Sequence, residues 1–180
     1  MNLKAGLDIV AYIVVIALGV YQIYKSTKRL SAHLEGRKEF LANNKNELKE
    51  EFLEHKTWAL IYGVGALAVL VLGISFLVTK KDYLYASACI SLAAIFAGYV
   101  LDCFVTRRSW YYEDGFFFEN KYYKYRSLAV VEKRKGIFPA YDVRFHANPD
   151  MVVTKKMGEK LIEKQAEWKQ AKKDKKAGNK

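Results

Sequence analysis

The chain has 180 residues, 52% apolar and 27% charged, with 30 Lys and Arg against 19 Asp and Glu for a formal charge of +11. The mean hydropathy of -0.11 averages two unlike parts: an apolar front, and a basic rear where residues 107–180 hold 19 Lys and Arg and 10 Asp and Glu. The length allows a small helical bundle and one domain of about 70 residues, and two cysteines exclude a disulfide framework or a zinc spacing.

Three apolar stretches fill the first 105 residues. Leu7–Tyr24 carries only Asp8, Trp58–Val78 carries no charge, and Tyr83–Val105 carries only Asp102. At about 1.5 Å per residue the second spans roughly 31 Å, the hydrocarbon thickness of a bilayer. Lipid offers backbone groups no partner, so all three are expected to be transmembrane helices. The first follows Lys4 as a signal peptide would, but it ends in Tyr21-Gln22-Ile23-Tyr24-Lys25 without a small-x-small cleavage site, and reads as a retained span. Cys89 and Cys103 lie about 21 Å apart along the third helix and read as small packing residues.

Small residues suggest how the spans meet. Gly63, Gly65 and Gly73 lie in the second, and the pairs Ala93 with Ala97 and Ala94 with Gly98 in the third. Such spacing lets helices approach closely. The short 79–82 turn makes spans two and three antiparallel neighbours, so packing within the chain is the first expectation and a homodimer face the alternative. Asp8 and Asp102 fall at boundaries, where water can solvate them. Positive residues favour the cytoplasmic side. Lys25, Lys28, Arg29, Arg107 and Arg108 on one side outnumber Lys4, Lys80 and Lys81 on the other, which places the N-terminus outside and the C-terminal region in the cytoplasm of a bacterial plasma membrane. Trp58 and Trp110 at one boundary, with Tyr83 and Tyr85 at the other, fit an aromatic belt.

Residues 31–56 read as a cytoplasmic amphipathic helix, with Ser31 as its cap and Leu34, Leu41, Leu48 and Phe52 as its apolar stripe. The stripe suits packing on the C-terminal domain or lying on the membrane surface, and the mixed charge favours packing. Glu47 with Glu51, and Glu50 with Glu54, are like-charge pairs that weaken a helix slightly. His33 and His55 carry no ligand cluster. The expected organisation is therefore 1–30 first span, 31–56 loop helix, 57–106 transmembrane hairpin, 107–173 α+β domain and 174–180 disordered basic tail.

From Ser109 the pattern becomes β-prone. Trp110–Tyr112, the turn Glu113-Asp114-Gly115 and Phe116–Phe118 predict a hairpin. Tyr125–Glu132, Ile137–His146 and Met151–Thr154 predict three more strands, with Tyr141, Val143 and Phe145 on one face. Met157 to Lys173 predicts a helix burying Leu161, Ile162, Ala166 and Trp168. About five antiparallel strands and a closing helix resemble the bacterial pleckstrin-homology-like domains. The stretch Gly115-Phe116-Phe117-Phe118-Glu119-Asn120, followed by Tyr125 and Leu128, resembles that of the YobD-type three-span bacterial inner-membrane proteins. The resemblance implies a fold and a location, and no activity.

No nucleophile–base set, metal cluster or phosphate loop stands out, since Gly63-x-Gly65 lies inside a span and Ser109, Asp142 and His146 are common residue types without triad spacing. A non-enzymatic role with no cofactor and no metal is expected. Lys121, Tyr122, Tyr123, Lys124 and Arg126, joined by Arg107, Arg108, Lys133, Arg134 and Lys135, form a candidate lipid or partner surface, because Tyr suits a headgroup boundary and Lys and Arg attract anionic lipid. A solvated strand edge guarded by charge explains the same run. The expected partners are the bilayer, with its anionic headgroups, and an unidentified membrane or cytoplasmic protein; nucleic acid comes a distant third and self-association stays open. The function expected is an interaction or regulatory module at the inner leaflet. An immunity protein against a membrane-active toxin or bacteriocin is the alternative, and a small transporter subunit the second.

Overall fold

The computed structural model describes residues 3–44, 47–136 and 139–177. It divides into two compact units, Met1–Ala32 with Glu54–Val105, and His33–Leu53 with Thr106–Lys180.

The first unit is helical. It contains most of α1 (Leu3–Asn43), α2 (His55–Ser75) with a π-helical turn at Phe76–Lys80, and α3 (Tyr83–Thr106). Three helices here are long and apolar enough to cross a membrane. Their outward faces are bare apolar side chains, with Leu60 at 68% and Leu67 at 65% exposure. A contiguous surface of that kind is suited to hydrocarbon rather than water, and it suggests a multi-pass membrane protein.

Small residues bring these helices together. Gly73 of α2 is buried, and a Cβ there would lie 3.0 Å from Cys89 Cβ and 3.3 Å from the Ala86 carbonyl oxygen. On α3, Gly98 meets Gln22 and Ser26, and Ala94 meets Gly19. The Ser91 hydroxyl donates to the Val15 carbonyl oxygen at 2.5 Å. Gly19 and Ser26 of α1 thus work with Ala94 and Gly98, and they were not singled out by spacing. Ala93 is buried, Gly65 only touches the Phe96 ring, Ala97 is exposed, and a Cβ at Gly63 would have no described atom within 4 Å. The turn between α2 and α3 is closed by Lys81 in left-handed backbone (φ 52°) and by Asp82, whose carboxylate accepts from the Tyr85 N–H at 3.2 Å. The Asp8 side chain lies outside the described residues, and Asp102 is half-buried.

The second unit holds seven strands among the described residues. One antiparallel sheet has the order β1 (Leu48–Leu53), β2 (Arg108–Tyr112), β3 (Gly115–Phe118) and β4 (Lys121–Lys124). The other has the order β5 (Leu128–Lys133), β6 (Ala140–Phe145) and β7 (Met151–Thr154). Helix α4 (Lys155–Ala177) packs on β5, β6 and β7. The register sets Leu53 opposite Arg108, Tyr111 opposite Phe116, and Phe118 opposite Lys121.

Both faces of the first sheet are covered, which accounts for its unbroken aromatic runs. Alternation sends Tyr111, Phe116, Phe118 and Tyr123 into the main core with Leu128, Val143, Phe145, Val153, Met157 and Leu161. It sends Trp110, Tyr112 and Phe117 to the other face, where Phe40 of α1 and Tyr122 join them.

Several expectations change here. Residues 31–56 are not one helix capped by Ser31. Helix α1 runs unbroken through Ser31 to Asn43, where Asn44 donates both its backbone N–H (2.9 Å) and its side-chain amide (3.2 Å) to the Phe40 carbonyl. Leu48–Leu53 is then a strand, held by pairing with β2, which overrides its weak β propensity. The buried stripe of α1 is His33 and Phe40 with half-buried Gly36 and Arg37, whereas Leu34, Leu41 and Leu48 are exposed. The strands number seven rather than five, because β1 comes from the loop and Lys121–Lys124 forms β4; Tyr125–Ser127 is a 3₁₀ turn instead of a strand start. Of the residues expected to be buried on α4, Leu161 is fully buried and Trp168 packs on the core, but Ile162 and Ala166 are exposed. Helix α4 also continues through Asp174–Ala177, where a disordered tail was expected; residues 178–180, like Ile137 and Phe138 of a predicted strand, lie outside the described residues.

Candidate functional site

The ten residues expected to share one surface are divided among several places. Tyr123 is buried and stacks between Phe116 (5.4 Å) and Phe145 (4.9 Å). Tyr122 stacks on Phe40 at 4.6 Å and donates its hydroxyl to Asp114. Neither ring is a surface anchor, because strand alternation turns each into one of the two cores. Arg108 bonds Glu51 through Nε at 2.8 Å and lies 4.5 Å over the Trp110 ring, while Arg37 lies 4.1 Å from the same ring. Arg108 is therefore structural. Arg107 is half-buried. Lys121 is exposed at the end of β4 that lies beside Phe118, Lys133 is exposed at the end of β5, and Arg134 and Lys135 are exposed just beyond it, where Arg134 lies 3.9 Å from Asp142.

Lys124 and Arg126 belong somewhere else. They line a cavity of about 640 Å³ with Lys49, Tyr112, Tyr125, Lys164, Trp168 and Lys172. That volume is within the range of ligand pockets. Three elements build it. The register places Lys49, Tyr112 and Lys124 at one end of the first sheet, and the β2–β3 turn adds Glu113 and Asp114. Helix α4 contributes Lys164, Trp168, Ala171, Lys172 and Lys175, an i, i+4, i+7, i+8, i+11 face.

The carboxylates at the cavity are already engaged. Lys175 binds Glu113 at 2.9 Å and holds its carboxyl below the usual carboxylate range. Lys164 binds both Glu167 and Glu50 at 2.9 Å. Asp114 accepts from Tyr122. Lys124 and Arg126 have no ion-pair partner among the described residues, Lys49 acts on the Glu113 carboxylate together with Lys175, and Lys172 lies 5.3 Å over the Trp168 ring. The Tyr125 hydroxyl is buried with no hydrogen-bond partner among the described residues, and burial pushes its ionisation well above the usual phenol value. Burial likewise pushes Tyr111 up to about 12, against the opposing pull of Ser109. The arrangement is a cationic rim over an aromatic floor, and it can bind and orient an anion.

Sequence reading reached Lys124 and Arg126 and missed Lys49, Lys164, Trp168, Lys172 and Lys175. The helical spacing on α4 was a usable signal. Ser109 is buried in the first sheet and His146 is exposed beside the second, and no cluster of metal-binding side chains occurs among the described residues. Comparison with protein-family models, with curated proteins and with solved structures returns no match.

Proposed function

We propose that this is a non-enzymatic membrane protein whose second unit is a binding module of the pleckstrin-homology-like kind, displayed at the inner leaflet of a bacterial plasma membrane with the N-terminus outside. The observation that supports it is the four-plus-three strand arrangement closed by α4, with cationic side chains left exposed on its loops and edges. That arrangement suits the pleckstrin-homology comparison better than the five strands expected, and the YobD-type resemblance is part of the same proposal. The module is anchored by the apolar helices and regulates or recruits a partner there.

Two measurements test it in the full chain. A photo-crosslinking residue replacing Lys121 or Lys133 in living cells gives a discrete lipid or protein adduct. No adduct at either position, with normal membrane levels of the protein, rejects the module. Asn148→Cys, in a Cys89→Ser and Cys103→Ser background, reacts with a membrane-impermeant thiol reagent only after cells are permeabilised; labelling in intact cells rejects the cytoplasmic placement.

A further inference from the structure

We infer that the cavity between the β2–β3 turn, the Lys124–Arg126 segment and the outer half of α4 is a binding site for a small polyphosphate. The inference rests on the binding-module reading and names the ligand class. Lys124 and Arg126 line the cavity without an ion pair among the described residues, Lys49 shares Glu113 with Lys175, and Lys172 lies over the Trp168 ring. The lining holds six cations, Lys49, Lys124, Arg126, Lys164, Lys172 and Lys175, against three carboxylates, Glu113, Asp114 and Glu167, so the acids at the rim do not cancel the cations. The local excess of positive charge selects an anion.

Several cations around one half-open cavity fit neighbouring phosphate groups better than a single carboxylate, because each phosphate accepts several charge-assisted hydrogen bonds. Tyr112, Tyr125 and Trp168 line the cavity and displace water, which strengthens charge contacts there. An extended acidic protein segment suits the cavity less well, since about 640 Å³ is the size of a compact ligand. The phosphate groups come from a soluble molecule or from a phosphomonoester lipid headgroup.

The test uses the full chain in phosphatidylcholine nanodiscs, with inorganic tripolyphosphate as the probe and calorimetry as the readout. Saturable binding that weakens as salt rises is expected. The double variant Lys124→Glu, Arg126→Glu, at two exposed positions, weakens it about tenfold or more. Lys156→Glu, at an exposed position of α4 that does not line the cavity, is the control and leaves binding within about threefold. Displacement of the probe by phosphatidic acid vesicles assigns a headgroup source, and displacement by ATP alone a soluble one; either supports the site. No saturable binding up to about 1 mM, where affinity is worth only about 4 kcal/mol, overturns it. So does unchanged binding in the double variant, or binding of an oligo-glutamate peptide in place of the probe. Intact crosslinks from Lys121 or Lys133 without probe binding sink the cavity alone, whereas probe binding without crosslinks sinks the membrane-surface module alone.

Discussion

At the scale of single residues, one tight constraint in the second unit is the seat of the β3–β4 turn. Glu119 adopts left-handed backbone (φ 53°), and its carbonyl accepts a hydrogen bond from His33 Nδ1. His33 is buried and stacks 5.5 Å from Trp110. One helical turn on, a Cβ at Gly36 would lie 2.6 Å from the Asn120 carbonyl oxygen. Backbone cannot yield as a side-chain tip can, so Gly36→Ala is expected to cost about 1–3 kcal/mol, read as a lower unfolding temperature by near-UV circular dichroism. Gly63→Ala meets nothing and serves as the control, with no loss expected. Tyr111 is one of several buried phenols, Tyr125 among them, that set the alkaline limit. Its native ionisation lies at about 12 and its unfolded one near 10.0, so the native state holds the proton more tightly. The stability present below pH 10 is therefore lost as pH rises from about 10 to about 12, on the order of 2–3 kcal/mol for this group. A denaturant titration across that window checks it, and an unchanged midpoint would contradict the burial of Tyr111.

At the scale of elements, strand β1 is the piece on which the second unit depends. It pairs with β2 and links to α4, because Glu50 binds Lys160 at 2.8 Å and Lys164 at 2.9 Å while Glu51 reaches Arg108 on the opposite face. Four glutamates that read as like-charge pairs on a helix are thus partly explained as cross-element partners on a strand. The Lys160 hydrogen bond leads in holding the Glu50 carboxyl below its usual range. Its contribution is present at neutral pH and fades as pH falls through the carboxylate range. Glu50→Gln removes it, at a cost below about 1 kcal/mol because the pair is partly exposed and screened. A fragment starting at residue 107 fares much worse. It lacks β1 and the α1 turns carrying His33 and Phe40, so β2 loses its partner strand and Trp110, Tyr112 and Phe117 lose their cover. Such a fragment is expected to aggregate or to lose near-UV signal. Residues 33–53 joined by a flexible linker to residues 106–180 are expected to fold, and equal spectra for the two fragments would contradict this account.

At the scale of the whole molecule, the chain is read as anchored by three helices whose outer faces are apolar. Alkaline carbonate washing is expected to leave it in the membrane pellet, since stripping peripheral contacts does not release spanning helices; recovery in the supernatant would refute the anchoring. Composition alone determined much of this. An uncharged run such as Trp58–Val78 is long and apolar enough to cross a membrane as a helix, and two short aromatic runs on either side of Glu113-Asp114-Gly115 read as a hairpin. Ala94, Gly98 and Gly73 were legible for the same reason, since spacing along a helix is local information. What only the tertiary structure decided was pairing across sequence distance. Lys49 reaches the cavity because β1 joins β2 across a gap of more than fifty residues, and no window of local sequence encodes that partner. Tyr122 left the expected surface because α1 covers the second face of the sheet, Tyr123 because its ring enters the main core against Phe145, and α4 brought Lys164, Trp168 and Lys172 beside Lys124. Periodicity says which residues share a face; only packing says what that face meets.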